Sequence, residues 1–384
     1  MPTPARWDIF CKVVDNFGDA GVAWRLARQL AAEHAFDVTL WLDELAALAR
    51  MAREVDPARD TQTVAGVTLR RWREPFPDVE PAAVVVEAFG CALPGNYLAA
   101  MAARRAPPAW ILLEYLSAET WVEGAHDVES PHPTLPLKRR FFFPGFTAST
   151  GGLLRERGLL AARDAFRRNR DAQRIFWPSV GVPPPAEGEL RISLFCYPSA
   201  ILPSLLDAWA EGEFPVSCLV PEGVAAGALD AWTQGNVPHP GRPFQCGRLA
   251  LHGIPFLAQD DYDHLLWASD INFVRGEDSF VRAQWAGRPF AWHIYPQAEG
   301  AHWRKLDAFL DRYASGLGPA TQAAVRRFWR AYNGAPDAGA IAHAWLEFAA
   351  AQPHLVCHSD AWAGRLASLP DLASALATAA AFRV

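Results

Sequence analysis

"WDIFCKVVDNFGDAGVAWRLARQL", residues 7–30, passes from an apolar run through a polar turn straight into an amphipathic helix. Residues 7–14 have the length and apolar content of a mostly buried strand. Residues 20–34 place Val22, Trp24, Leu26 and Leu30 on one helical face and turn Arg25 and Arg28 elsewhere. Strand, tight turn and helix make half of a βαβ unit, and the alternation continues. Strands are expected at "DVTLWLD" (37–43), "GVTLRRW" (66–72), "AAVVVEAFG" (82–90) and "AWILLEYL" (109–116), with helices at "ELAALARM" (44–51) and "GNYLAAMAARR" (95–105). Such alternation predicts a parallel sheet with helices on both faces.

The rhythm loosens between about 117 and 188. "ESPHPTLPLKRRFFFPGFTASTGG" (129–152) reads as a long surface excursion, and "LLRERGLLAARDAFRRNRDAQ" (153–173) as one basic, solvated helix. "WPSVGVPPPAEGE" (177–189) is the most linker-like segment of the chain. A second series then begins at "LRISLFCYPS" (190–199). It runs through the helix 200–212, the strands 214–223 and 244–257, the helix 260–269, the strand 270–276, a helix starting at 277 and the strand 288–296. The remainder is helical and rich in Ala and Trp. The expectation is α/β: two doubly wound halves joined by a Pro-rich hinge.

Bulk numbers agree. A length of 384 residues exceeds what one core usually serves, and 16 Trp and 22 Phe are ample for two. The net charge of −6 argues against a nucleic-acid or anionic-membrane partner. No run reaches the roughly 20 apolar residues of a membrane span, and the first residues do not read as a secretion signal. Six scattered cysteines suggest free thiols in a reducing cytoplasm, and no metal is expected from the spacing of the Cys and the eleven His.

Ligands of open α/β sheets bind beyond the carboxyl ends of strands, so the strand-to-helix turns carry the chemistry. In the first, Asp15-Asn16-Phe17-Gly18-Asp19-Ala20-Gly21, two acids stand where a helix cap needs one. Acids occupy positions that a dinucleotide fingerprint keeps small, so a phosphate cradle does not fit. A cation, or a substrate with a proton to lose, does. The plain alternative is an N-cap for Asp19 and an Asx-turn for Asp15, with Gly18 and Gly21 giving backbone room or taking positive φ. In the second turn, Phe195, Cys196 and Tyr197 end a strand before Pro198 and Ser199, where an aromatic could stack on a base. In the third, "FVRGEDSFVRAQWAGRPFAWHIYPQ" (273–297), Glu277, Asp278 and Ser279 open a helix whose N–H groups suit a diphosphate, with Arg275 beside them. Gln259 ends a preceding strand and is placed to contact a ligand.

"DNFGDAGVAWRLARQL" together with "FVRGEDSFVRAQWAGRPFAWHIYPQ" resembles the protein-arginine rhamnosyltransferases of elongation factor P, over nearly the whole chain. The resemblance implies a GT-B glycosyltransferase, with two Rossmann-like domains facing across a cleft. It implies an acceptor domain over 1–180, with a C-terminal helix at about 362–384 packing back on it, and a nucleotide-sugar domain over 185–361. It implies an inverting transfer of rhamnose from dTDP-β-L-rhamnose to an arginine of elongation factor P, in the cytoplasm, without a cofactor or metal. Asp19 is then the expected base, Asp15 its partner, and Glu277 the glutamate near the sugar nucleotide. Asn16, Phe17, Gly18, Phe195, Tyr197, Gln259, Arg275, Asp278 and Ser279 are the expected binding residues. The alternatives are another GT-B transferase or epimerase, and a non-catalytic protein that binds a translation factor.

Overall fold

A computed structural model describes residues 5–381. The chain divides into two compact units, Met1–Arg157 with Leu366–Val384, and Gly158–Arg365.

The first unit is built on eight strands: β1 (Arg6–Cys11), β2 (Asp37–Leu42), β3 (Thr61–Val64), β4 (Val67–Arg71), β5 (Val84–Ala88), β6 (Ala109–Leu113), β7 (Glu129–Pro131) and β8 (Lys138–Phe142). Their order across the sheet is β3-β4-β2-β1-β5-β6-β8-β7. The six inner strands are parallel, and a short antiparallel strand closes each edge. The central strands β1, β2, β5 and β6 are nearly continuous apolar runs, as a sheet covered on both faces requires. A helix, Asn16–His34, packs the apolar face anticipated for it against β1 and β2. β3 escaped the sequence reading because "TQTV" is exposed at every other residue. β8, "KRRFF", lay hidden in what reads as an irregular excursion, yet it extends the parallel sheet beyond β6.

The second unit holds β9 (Leu190–Leu194), β10 (Val216–Pro221), β11 (Phe244–Cys246), β12 (Leu249–Ile254), β13 (Ile271–Arg275) and β14 (Phe290–His293), in the order β11-β12-β10-β9-β13-β14. All pairs are parallel except β11 with β12. The single strand expected over 244–257 is therefore a hairpin, turned at Gly247 with φ +52. The core beneath β13 and β14 is aromatic: Phe280, Phe290, Phe309, Tyr313 and Trp329 form one network of ring contacts, and Phe273 pairs edge-on with Phe328 in another. The helix Asp278–Ala286 is buried along its whole length, and its Arg282 is paired at 2.8 and 2.5 Å with Asp263 of the helix Gln259–Ala268.

The unit boundary departs from the expected one. Residues 158–180 belong with the second unit, because Arg163 donates to the Trp285 carbonyl at 2.9 Å and Arg167 to that of Gly287 at 2.9 Å. Trp177, Val180 and Val182 are buried in one cluster with Leu219, Ile254, Leu257 and Leu265. The Pro-rich segment read as a hinge is stapled down as well, since Arg191 donates to the Pro183 carbonyl at 2.6 Å and stacks on Trp177. The long basic helix is two, Leu159–Arg168 and Arg170–Ser179. They are separated by Asn169, whose side chain caps the second through the Ala172 amide.

The chain's end returns to the first unit. The helix Leu372–Ala381 packs on Asn16–His34, and Gln29 donates to Asp371 at 3.0 Å and to the Arg155 carbonyl at 2.8 Å. Gly152, at φ +70, lies so close to the Pro370 carbonyl that a Cβ there would sit 2.1 Å from the oxygen.

Candidate active site

In both sheets the strand order reverses once, between β1 and β5 in the first unit and between β9 and β13 in the second. Ligand crevices of doubly wound sheets open at such switch points. The polar residues singled out from the sequence collect at both.

At the end of β1 the helix starts at Asn16 with Asp15 as its N-cap residue, but Asp15 makes no side-chain capping bond. Asp19, in the first helical turn, reaches backward instead. Its Oδ2 accepts the Val14 amide at 2.9 Å and the Asp15 amide at 2.8 Å, and the residue is only 2 % exposed. The cap reading is thus reversed: Asp19 satisfies the amides ahead of the helix, with Oδ1 outside both bonds. Neither Gly18 nor Gly21 has positive φ, and both lie within the helix. The value of Gly18 is space, since a Cβ there would lie 2.7 Å from Asp15 Oδ2 and 3.3 Å from its Cγ. The Asp15 carboxylate therefore rests on the bare Cα of Gly18. Phe17 packs under the Arg50 guanidinium, 5.6 Å from the ring centre. Val14 beside them is 73 % exposed. Asn16 opens the helix, and its side chain lies outside the described residues.

At the end of β9, Phe195 and Tyr197 hold the Arg275 guanidinium between them, 4.5 and 4.7 Å from their ring centres. Arg275 also donates to the Cys196 carbonyl at 3.1 Å. Three residues from two strand ends are thereby fixed as one stacked block, with a cation at the carboxyl edge of β13. Glu277 is the N-cap residue of Asp278–Ala286 and makes no side-chain cap bond. Asp278 is buried and accepts the Gln259 amide at 3.2 Å, joining two helix starts. The Ser279 hydroxyl is engaged within the turn: it accepts the Arg275 amide at 3.0 Å and donates to the Arg275 carbonyl. It holds the loop that presents Arg275, Gly276 and Glu277.

Sequence reasoning passed over several neighbours. His293 ends β14 opposite Arg275 in register, edge-on to Tyr197 at 5.4 Å. Burial, and then the Arg275 charge, push its pKa down to about 4, so it is neutral near pH 7. Its Nδ1 is buried without a hydrogen-bond partner among the described residues. Tyr295, half exposed, also meets the Tyr197 ring edge at 5.4 Å, and Phe256 and Tyr262 border Phe195. The rule that singled out Arg275, position at a strand's carboxyl end, applies equally to His293 and Tyr295.

Among the described residues no group of three or more His, Cys, Asp or Glu is arranged to hold a metal ion, and no helix is long and apolar enough to cross a membrane. Four of the six cysteines are buried free thiols, whereas Cys246 and Cys357 are exposed.

The family model of the elongation factor P (EF-P) rhamnosyltransferase EarP matches residues 7–381. A protein-arginine rhamnosyltransferase of Pseudomonas putida is 50 % identical over 372 residues, 97 % of each chain. One from Neisseria meningitidis serogroup B is 37 % identical, covering 85 % of this chain and 83 % of its own. A solved structure from work on the structural basis for EarP-mediated arginine glycosylation of EF-P superposes with a TM-score of 0.70 at 36 % identity, over 99 % of this chain and 100 % of that one. A glycosyltransferase from Rickettsia africae shares the fold alone, with a TM-score of 0.50 at 9 % identity over 99 % and 98 % of the two chains. The fold is that of GT-B glycosyltransferases, two Rossmann-like units each built on a mainly parallel sheet.

Proposed function

The chain belongs to the elongation factor P rhamnosyltransferase family, and from that premise we propose that it moves L-rhamnose from dTDP-β-L-rhamnose to an arginine of elongation factor P, with inversion at the anomeric carbon. The observation that carries the acceptor half is the acid pair: Asp19 anchored by two amides, and Asp15 seated over Gly18.

A guanidinium is a poor nucleophile because its lone pairs are delocalised and it stays protonated at neutral pH. Two carboxylates can hold it and aim one nitrogen at the anomeric carbon. As the new C–N bond forms, the bond from the anomeric carbon to the diphosphate oxygen breaks, and its electron pair leaves with dTDP. The proton of the attacking nitrogen passes to Asp19, by the oxygen its two amide bonds do not use. The glycosylated guanidinium keeps its positive charge. Asp15 holds the cation.

In the donor half, Phe195, Tyr197 and Gln259 take the thymidine, and Glu277 takes sugar hydroxyls. The charge gathering on dTDP is met by Arg275 and by the N–H groups at the start of Asp278–Ala286. With those donors aimed at the diphosphate, the step is written without a metal or cofactor. The acceptor and donor imply a cytoplasmic enzyme with no nucleic-acid or membrane partner.

The test is intact mass of elongation factor P incubated with the chain and dTDP-rhamnose. A gain of one deoxyhexose is expected, and its absence would favour a non-catalytic binding protein. In thermal shift, dTDP should stabilise the chain more than UDP or GDP. A larger effect of UDP or GDP would point to another sugar-nucleotide enzyme.

Gly18→Ala separates geometry from stability. Alanine is the better helix former by about 1 kcal/mol, and the atom it would strike is the tip of a flexible side chain. The melting temperature should hold or rise while turnover falls about tenfold, because Asp15 is displaced from its seat. Unchanged turnover would remove the positional role of Asp15.

A further inference from the structure

We propose that the turn Phe89–Ala92, with Tyr115, is the second wall of the acceptor site: an aromatic platform that receives the chain of the acceptor protein beside its arginine. The proposal rests on the reading of Asp15 and Asp19 as the acceptor's carboxylates.

The first unit's crevice has two sides. The acid turn follows β1, and the chain leaving β5, the strand on the other side of the reversal, enters Phe89 directly. The two sides are tied together, because the Cys91 thiol donates to the Phe10 carbonyl of β1 at 3.4 Å.

This turn is strained. Phe89, Gly90 and Ala92 have φ of +58, +64 and +56, a region that costs non-glycine residues on the order of 1–2 kcal/mol each. Its conformation is held from several directions. The Phe89 amide donates to the Leu113 carbonyl at 2.7 Å, and the Cys91 amide to that of Ala88 at 3.2 Å. The Ala92 amide donates to Glu87 Oε1 at 3.0 Å, while the other oxygen of Glu87 takes the Trp110 indole N–H at 3.1 Å. Glu87 is 4 % exposed, so a buried carboxylate is committed to fixing a surface turn.

The result of the strain is the position of one ring. Phe89 stacks on Tyr115, which lies just past β6, with centroids 4.5 Å apart and planes 17° apart. Neither residue is buried in the core, and Gly90 beside them is exposed. A connection from β5 to the helix Gly95–Ala103 needs no left-handed phenylalanine. A flat aromatic pair one strand and two strands from the acid turn suits the peptide planes and apolar side chains that flank an arginine on a protein loop. Val14, exposed on the acid side, supplies an apolar counterpart.

Phe89→Gly and Tyr115→Ala test this, with affinity for unmodified elongation factor P and for dTDP measured by calorimetry. Glycine suits φ +58, so Phe89→Gly removes the ring without straining the turn. Acceptor affinity should fall about tenfold in each variant, dTDP affinity should not move, and Phe89→Tyr should retain acceptor binding. Acceptor affinity unchanged in both Phe89→Gly and Tyr115→Ala would overturn the platform while leaving the parent's transfer activity intact. If the proposed function itself were wrong, the parent chain would leave the acceptor unmodified in the presence of dTDP-rhamnose, an outcome read on the parent alone and separate from any loss of affinity in the two variants.

Discussion

Asp19→Asn should lower rhamnose transfer by roughly a hundred- to ten-thousand-fold, the usual worth of a positioned general base. Asparagine is the informative replacement. Its carbonyl oxygen can still accept the Val14 and Asp15 amides now bonded to Asp19 Oδ2, so the turn and the helix start keep their bonds. What disappears is the capacity to take a proton. Alanine would instead strand two amides beside a nearly buried site and confuse folding with chemistry. Single-turnover transfer followed by intact mass gives the rate, and calorimetry with dTDP gives the control, because Asp19 belongs to the first unit and the residues proposed to hold the donor belong to the second. Near-normal transfer by Asp19→Asn would end the base assignment, and weakened dTDP binding would show that the change had spread beyond the acceptor turn.

Arg275→Ala carries the second large effect, on the donor side. The guanidinium is the filling between Phe195 and Tyr197 and is bonded to the Cys196 carbonyl, so its loss removes a charge and unseats two rings together. Affinity for dTDP should fall by about a hundredfold or more, the scale on which a desolvated charged contact is lost. Thymidine, which lacks the diphosphate, should lose less, and the difference between the two ligands isolates the charge. Arg275→Lys should fall between, since an ammonium keeps the charge and loses the planar stack. If Arg275→Ala bound dTDP within threefold of the parent, the diphosphate would have to be held elsewhere.

Much of the architecture was legible because hydrophobic period survives in long elements. The apolar runs of β1, β5, β6, β9 and β13 and the amphipathic helix after Asp15 follow directly from it. Short or unusually composed strands were not legible. "KRRFF" carries three cations in a row, and "TQTV" has no apolar face. The unit boundary was misread for a related reason. Prolines at 183–185 resemble a hinge, but backbone carbonyls remain free to be bonded, and Arg191 takes that of Pro183. The true break, Arg157 to Gly158, has no compositional mark.

The position of the candidate residues at strand-to-helix turns was legible, and their mutual arrangement was not. That Asp19 would turn backward to two amides, or that Ser279 would spend its hydroxyl on the Arg275 backbone, depends on a few dihedral angles that residue names do not encode. The Phe89 ring was invisible for the same reason. Nothing in "EAFGCA" announces a left-handed phenylalanine.

The return of the helix Leu372–Ala381 to the first unit has a consequence for biosynthesis. The face of the acid-bearing helix that it covers stays bare until residues 372–381 leave the ribosome, so the unit begun first is completed only after all of the second unit has been made. A stop codon just before residue 366 would spare every residue of the second unit and still leave the Asp15–Asp19 helix uncovered, some 350 residues upstream of the lesion. Quality control of this enzyme is therefore written in the segment after residue 365: a chain cut short before it leaves its first unit unfinished even when its second is whole.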